Sequence, residues 1–143
     1  MSAKRLISIL LPIRIKDGEV SVFLQKRSAD MKVLPSYFGF WGGGCEHSET
    51  PEQGLIRETR EELGIELDIK MVGLFNHYEF LESIKNVFTF TPENDWEKNH
   101  KIGEGDYGQW FRADEALSRN DIILEDKVIL NDLKRRLLKK PIK

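Results

Sequence analysis

Gly43-Gly44-Cys45-Glu46-His47-Ser48-Glu49-Thr50-Pro51-Glu52-Gln53-Gly54-Leu55-Ile56-Arg57-Glu58-Thr59-Arg60-Glu61-Glu62-Leu63-Gly64-Ile65 is the stretch on which the reading of this 143-residue chain turns. It opens as a glycine loop and then carries the marks of a helix. Thr50 suits the N-cap, Pro51 the first helical position, and Gln53 completes a capping box. Leu55, Ile56, Thr59 and Leu63 recur at helical spacing, and Gly64 stands where a left-handed C-cap is expected.

On a wheel of about 100° per residue, Leu55, Ile56, Thr59 and Leu63 define one face, expected to pack on a sheet. Gln53, Arg57 and Arg60 lie roughly opposite. Between them runs a strip holding Glu58, Glu61, Glu62 and Gly54. Like charges one turn apart repel by a few tenths of a kcal/mol, and glycine inside a helix costs up to roughly 1 kcal/mol relative to alanine. A bound divalent cation would remove the repulsion, and the bare glycine would leave room for a ligand. Hard carboxylate oxygens without nearby His or Cys favour magnesium, with manganese as the alternative, over zinc.

Working outward, residues 4–16 read as a strand, Asp17-Gly18 as a hairpin turn and residues 19–25 as the partner strand. Residues 28–41 read as a loop with an aromatic cluster, Tyr37, Phe38, Phe40 and Trp41. Beyond the helix, 66–75 and 84–91 read as strands joined by a connection containing His77 and Tyr78. A polar loop over 92–108, a short strand over 109–112 and one helical turn over 114–117 follow. The last element is an amphipathic helix over 125–139 with Val128, Ile129, Leu133 and Leu137 inward. The pattern predicts one mixed α/β (α+β) domain spanning residues 1–143.

Composition is ordinary for a soluble globular protein, 40% hydrophobic and 32% charged. With 22 Lys and Arg against 24 Asp and Glu, the net charge of −2 argues against a dedicated nucleic-acid binder. No stretch approaches the roughly 20 apolar residues of a membrane span. The short apolar run after Lys4-Arg5 is followed by Arg14 and Lys16 with no small-residue cleavage site, so it reads as a strand rather than a signal peptide. The single Cys45 excludes an internal disulfide, and the expected location is the cytoplasm.

The spacing of residues 43–65, Gly43, five residues, Glu49, seven residues, Arg57-Glu58-Thr59, one residue, Glu61-Glu62, one residue, Gly64-Ile65, resembles the complete Nudix box. Seven fixed identities at fixed spacing would arise by chance on the order of once in 10⁸ windows. The resemblance implies an α/β/α sandwich with a mixed central sheet and a magnesium-dependent hydrolase of nucleoside diphosphate-linked substrates. It implies Glu58, Glu61 and Glu62 as catalytic metal ligands, joined by the Gly43 carbonyl. Glu58 is also the family's commonest candidate for the base. Glu49 and Arg57 would pair to orient the loop on the helix. Glu104, with Asp106 as second choice, is the expected distal ligand, and Arg27 resembles a phosphate-contacting arginine. Thr59 stands where an aliphatic residue is usual, Trp41 where proline is frequent, Gly44 where lysine or histidine is common, and Ser48 where glycine is frequent.

Phe38, Tyr107 and Trp110 are the expected substrate-stacking rings, with Tyr37, Trp41 and Phe80 as further candidates. His47 and His77 read as solvated or structural, and Cys45 as a small buried hydrophobe. The expected substrate is a nucleoside triphosphate, an oxidised guanine nucleotide among the candidates. The alternatives are an NDP-sugar or ADP-ribose hydrolase, and more remotely an isopentenyl diphosphate isomerase or a non-catalytic nucleotide sensor. A homodimer is compatible with the sequence, although no pattern marks an interface.

Overall fold

In the computed structural model, which describes residues 4–93, 96 and 107–137, the chain forms one seven-stranded mixed sheet with three α-helices. The strands are β1 (Arg5–Lys16), β2 (Glu19–Lys26), β3 (Phe38–Gly39), β4 (Trp41–Gly44), β5 (Gly73–Glu79), β6 (Ser83–Phe90) and β7 (Tyr107–Arg112). The helices are α1 (Pro51–Leu63), α2 (Ala113–Ser118) and α3 (Leu124–Leu137).

The long β1 organises the sheet. Its first part lies between antiparallel β4 and parallel β6, and its end pairs with β2 from Ile13↔Val22 onward. Pro12 falls between the last β4 partner, Leu10, and the first β2 partner, Ile13, where a missing N–H does least harm. Asp17 and Gly18 both adopt positive φ, as the tight turn into β2 requires. Alternation along the strands then divides the core. Leu10, Phe23 and Phe88 pack with Leu55 and Leu63 of α1 on one face. Ile9, Leu11, Val22, Leu24 and Val87 pack with Ala113 and Ala116 of α2 and Ile129, Leu130 and Leu133 of α3 on the other. The result is the layered α+β architecture that the sequence predicts.

Three expectations are corrected. The expected strand over 66–75 is instead a connection with a 3₁₀ turn at Ile69–Met71, capped by the Asp68 carboxylate on the Lys70 N–H at 3.0 Å. Its Leu67, Ile69 and Val72 pack against the α1-side core without pairing, and the strand begins at Gly73, so His77 and Tyr78 sit inside β5. The expected loop over 28–41 ends in β3 and the start of β4. Val128, expected inward, is exposed, because α3 turns Asp126, Ile129, Leu130 and Leu133 to the core.

Candidate active site

Helix α1 begins and ends where its caps dictate. The Thr50 hydroxyl accepts the Gln53 N–H at 3.1 Å, the Gln53 side chain accepts the Thr50 N–H at 2.9 Å, and Gly64 closes the helix at φ 68°. Burial of Leu55, Thr59 and Leu63 fixes its rotation and carries Glu62 inward with them. Glu62 is only 3% exposed; its Oε1 accepts the Gly42 N–H at 2.5 Å and its Oε2 accepts from Gln25 Nε2 at 3.2 Å. The Glu58 carboxylate rests against Gly43, where an added Cβ would come within 2.7 Å of it. Glu61, half exposed, stands further out.

Arg57 joins these parts. Its Nε and Nη2 donate to the two Glu49 oxygens at 2.8 and 2.9 Å, its Nη2 to the Gly44 carbonyl at 3.0 Å, and its Nη1 to Glu58 at 3.0 Å. Nη1 also lies 3.4 Å from Glu61. A bidentate guanidinium–carboxylate pair holds geometry as well as charge, so the glycine loop is fixed to the helix. The Arg57 hydrogen bonds, followed by the Glu46 N–H, hold the Glu49 carboxyl down at about 2. Glu49 and then Glu58 stabilise the Arg57 charge, raising its pKa above the ordinary arginine value. Gly54, read from the sequence as room for a ligand, has another use. A Cβ there would meet Cys45 Sγ at 2.7 Å, so the bare position admits the loop's own cysteine.

The carboxylates open onto a cleft of about 380 Å³. It runs from Glu58 and Glu61 along Gly42, Gly43 and Gly44 to a floor of Ile7, Ile9, Phe40 and Ile123, with Lys85, Asp126, Arg5 and Arg27 also lining it. At the floor, Lys85 Nζ donates to Asp126 at 3.1 Å and pairs with Glu125 at 2.9 Å, while the Phe40 N–H donates to the other Asp126 oxygen at 3.1 Å. Burial pulls the Lys85 pKa down, but Asp126 and Glu125 outweigh it and leave the ammonium raised. For a metal, α1 offers hard oxygens alone, and the bare Gly43 lets the Glu58 carboxylate come close against the glycine loop. That donor chemistry fits a magnesium-like cation. Among the described residues no three acidic, His or Cys side chains converge on one point, since Arg57 holds Glu58 and Glu61 while Gly42 and Gln25 hold Glu62.

The family model of the NUDIX domain matches residues 4–133. This chain belongs to the NUDIX family. It is 30% identical over 123 residues to the 8-oxo-dGTP diphosphatase of Escherichia coli strain K12, a match covering 85% of this chain and 92% of that protein. Over 65 residues it is 42% identical to the nucleoside triphosphatase NudI of Enterobacter sp. strain 638, covering 46% of this chain and 45% of that one. The fold is similar to that of the NUDIX domain of Shewanella oneidensis NrtR, solved with ADP ribose, at a TM-score of 0.73 and 15% identity over 96% of this chain and 90% of that chain. The chain is thus a NUDIX hydrolase acting on pyrophosphate bonds in nucleoside diphosphate derivatives, and enzymes of this family generally use divalent metal ions.

The NUDIX fold gathers some of the expected site residues and disperses others. Arg27 lines the cleft, yet its Nε and Nη2 donate to the Val33 and Leu34 carbonyls and so hold the loop that follows it. Phe38 is 2% exposed and packs edge-on against Phe111 at 4.8 Å, so it serves the core instead of meeting substrate. Tyr107 is exposed beside Phe38, and Trp110 lies under the Arg14 guanidinium at 4.1 Å, in a second groove with Lys16, Glu19 and Arg112. Trp41 is fully buried, stacked on Phe23 and donating to its carbonyl at 3.0 Å. Glu104 and Asp106 lie outside the described residues. Sequence reasoning missed Arg5, Phe40, Lys85, Ile123 and Asp126. Two signals were available. Lys85 shares strand parity with buried Val87, and Asp126 shares a helical face with Leu130 and Leu133. No helix among the described residues is long and apolar enough to cross a membrane.

Proposed function

We propose that this chain is a magnesium-dependent pyrophosphohydrolase converting a nucleoside triphosphate to the monophosphate and pyrophosphate. The observation that carries this reading is that the Glu58 and Glu61 carboxylates and the bare Gly42, Gly43 and Gly44 line one cleft with Ile7, Ile9, Phe40 and Ile123. The 30% identity to the 8-oxo-dGTP diphosphatase over 92% of its length supports a triphosphate, with an oxidised guanine nucleotide as first candidate. Glu58, Glu61 and Glu62, with the Gly43 carbonyl and Glu104, would hold the metal. Bound there, magnesium would neutralise phosphate charge and lower the pKa of water.

The chain's own residues supply the rest. Water attacks one phosphorus of the anhydride, the bridging P–O bond breaks toward pyrophosphate, and the water's proton passes to a carboxylate. Glu58, seated against Gly43 at the cleft rim, is the candidate acceptor. Arg57 offsets the repulsion between Glu58 and Glu61, and Glu49 fixes Arg57 in turn. The floor, where Ile7, Ile9, Phe40 and Ile123 surround the Lys85–Asp126 pair, receives the nucleoside, with Arg27 beside it.

A panel of triphosphates, including 8-oxo-dGTP, with NDP-sugars and ADP-ribose tests this in magnesium by product analysis. The expected products are a nucleoside monophosphate and pyrophosphate. Two phosphomonoesters from ADP-ribose, with triphosphates untouched, would replace the substrate. No turnover of any member would contradict the reading.

A further inference from the structure

This inference rests on the cleft being the phosphohydrolase site just described. Three cationic side chains line it, and two are already committed. Lys85 is held between Asp126 and Glu125, and Arg27 donates to the Val33 and Leu34 carbonyls. Arg5 differs. Its backbone N–H is bonded to the Glu82 carbonyl at 2.9 Å, which fixes the start of β1. Its guanidinium has no hydrogen bond, ion pair or ring contact with any residue among the described ones.

The guanidinium is nevertheless seated. It lies over Gly44, where an added Cβ would come within 2.7 Å of both Nε and Nη2. Arg5, Ile7 and Ile9 alternate onto one face of β1, and Ile7 pairs with Gly44 across the β1–β4 ladder. The neighbouring Gly43 seats the Glu58 carboxylate in the same close manner. From adjacent bare positions on opposite faces of β4, an anion-binding fork and a carboxylate are thus both brought to line the cleft. A planar guanidinium with free donors matches the paired oxygens of a phosphate group.

We propose that Arg5 contacts a phosphate of the diphosphate moiety and makes the cleft prefer a polyphosphate over its monophosphate product. Gly44 is then a specificity position, because its missing side chain is what lets the arginine in.

The test uses Arg5→Ala, Arg5→Lys, Gly44→Ala and the Arg5→Ala/Gly44→Ala pair on the best substrate of the wild-type panel. Arg5→Ala should raise KM about tenfold with a change in kcat below threefold, Arg5→Lys should fall between, and the inhibition constant of pyrophosphate should rise in parallel. Gly44→Ala should raise KM by displacing the guanidinium, and the pair should be no worse than Arg5→Ala alone. Melting temperatures should match wild type in the Arg5 variants. KM and pyrophosphate inhibition within twofold of wild type in Arg5→Ala would overturn the proposal, as would effects of Gly44→Ala and Arg5→Ala that simply multiply. If the wild type turns over no panel member, the proposed function fails on its own, and calorimetric titration with pyrophosphate and magnesium decides Arg5. Binding weakened at least fivefold in Arg5→Ala supports the contact; no wild-type binding, or no weakening, overturns it.

Discussion

At its rim the cleft takes Gly42, Gly43, Gly44, Glu58 and Glu61 from one continuous loop and helix. At its floor it takes Ile7 and Ile9 from β1, Phe40 from the junction of β3 and β4, Lys85 from β6, and Ile123 and Asp126 from the start of α3. The rim is charged, partly exposed and held by ionic contacts that water can replace. The floor buries a lysine and an aspartate at 9% and 3% exposure, where neither charge has that recourse. Chemistry common to many substrates can be written in a short local pattern. The surface that meets a particular substrate is assembled by the fold.

Substitutions should separate the two regions by the size of their effect. Asp126→Ala leaves Lys85 buried beside Glu125 alone and frees the Phe40 N–H. Breaking a buried pair costs about 3–5 kcal/mol, with the low end expected because Glu125 remains. Thermal unfolding should show a Tm lower by about 10 °C; a loss under about 2 °C would mean that the floor is no more demanding than the rim.

Gly54→Ala tests the rim's packing, where steric and helical terms oppose one another. The new Cβ meets Cys45 Sγ at 2.7 Å, an overpacking of about 1–3 kcal/mol, against a helical gain of up to roughly 1 kcal/mol. Net destabilisation of about 1 kcal/mol is expected in the wild type. In a Cys45→Ala background the same change should become stabilising, so a double-mutant cycle by urea unfolding shows whether the glycine exists for the cysteine.

The smallest effect concerns pH. The Glu49 pKa is depressed in the folded chain, from the ordinary 4.5 to about 2, chiefly by Arg57. Its contribution to stability is therefore complete above 4.5 and is lost as pH falls through 2. The stability difference between wild type and Glu49→Gln should be constant from about pH 7 to 5 and shrink between 4.5 and 2. A difference that grows on acidification would contradict the clasp.

The sequence is most legible where structure is local. Caps at Thr50 and Gly64 and the Asp17-Gly18 turn depend on neighbours within a few residues, and each appears where the pattern puts it. The connection over 66–72 misleads because Leu67, Ile69 and Met71 alternate as a strand would, yet Ile69–Met71 wind into a 3₁₀ turn. Phe38 misleads because composition marks a ring as useful without saying which way it faces. Arg5, Lys85 and Asp126 escape a sequence reading because nothing local joins residues roughly 80 or 40 positions apart. The parallel pairing of β1 with β6 brings Ile7 opposite Lys85, and the packing of α3 on that face supplies Asp126.

If the α1 carboxylates run the hydrolysis, a magnesium titration of turnover will separate wild type from Glu62→Gln. The amide introduced by this substitution keeps an acceptor for the Gly42 N–H, so the helix should remain folded, as an unchanged circular-dichroism spectrum would show. The wild type should release pyrophosphate in a magnesium-dependent way, and kcat should be lower by about 10²–10³ in the variant, the loss typical when one preorganised electrostatic group is removed. Turnover within threefold of wild type in Glu62→Gln, or undiminished after chelation of divalent ions, would contradict that role.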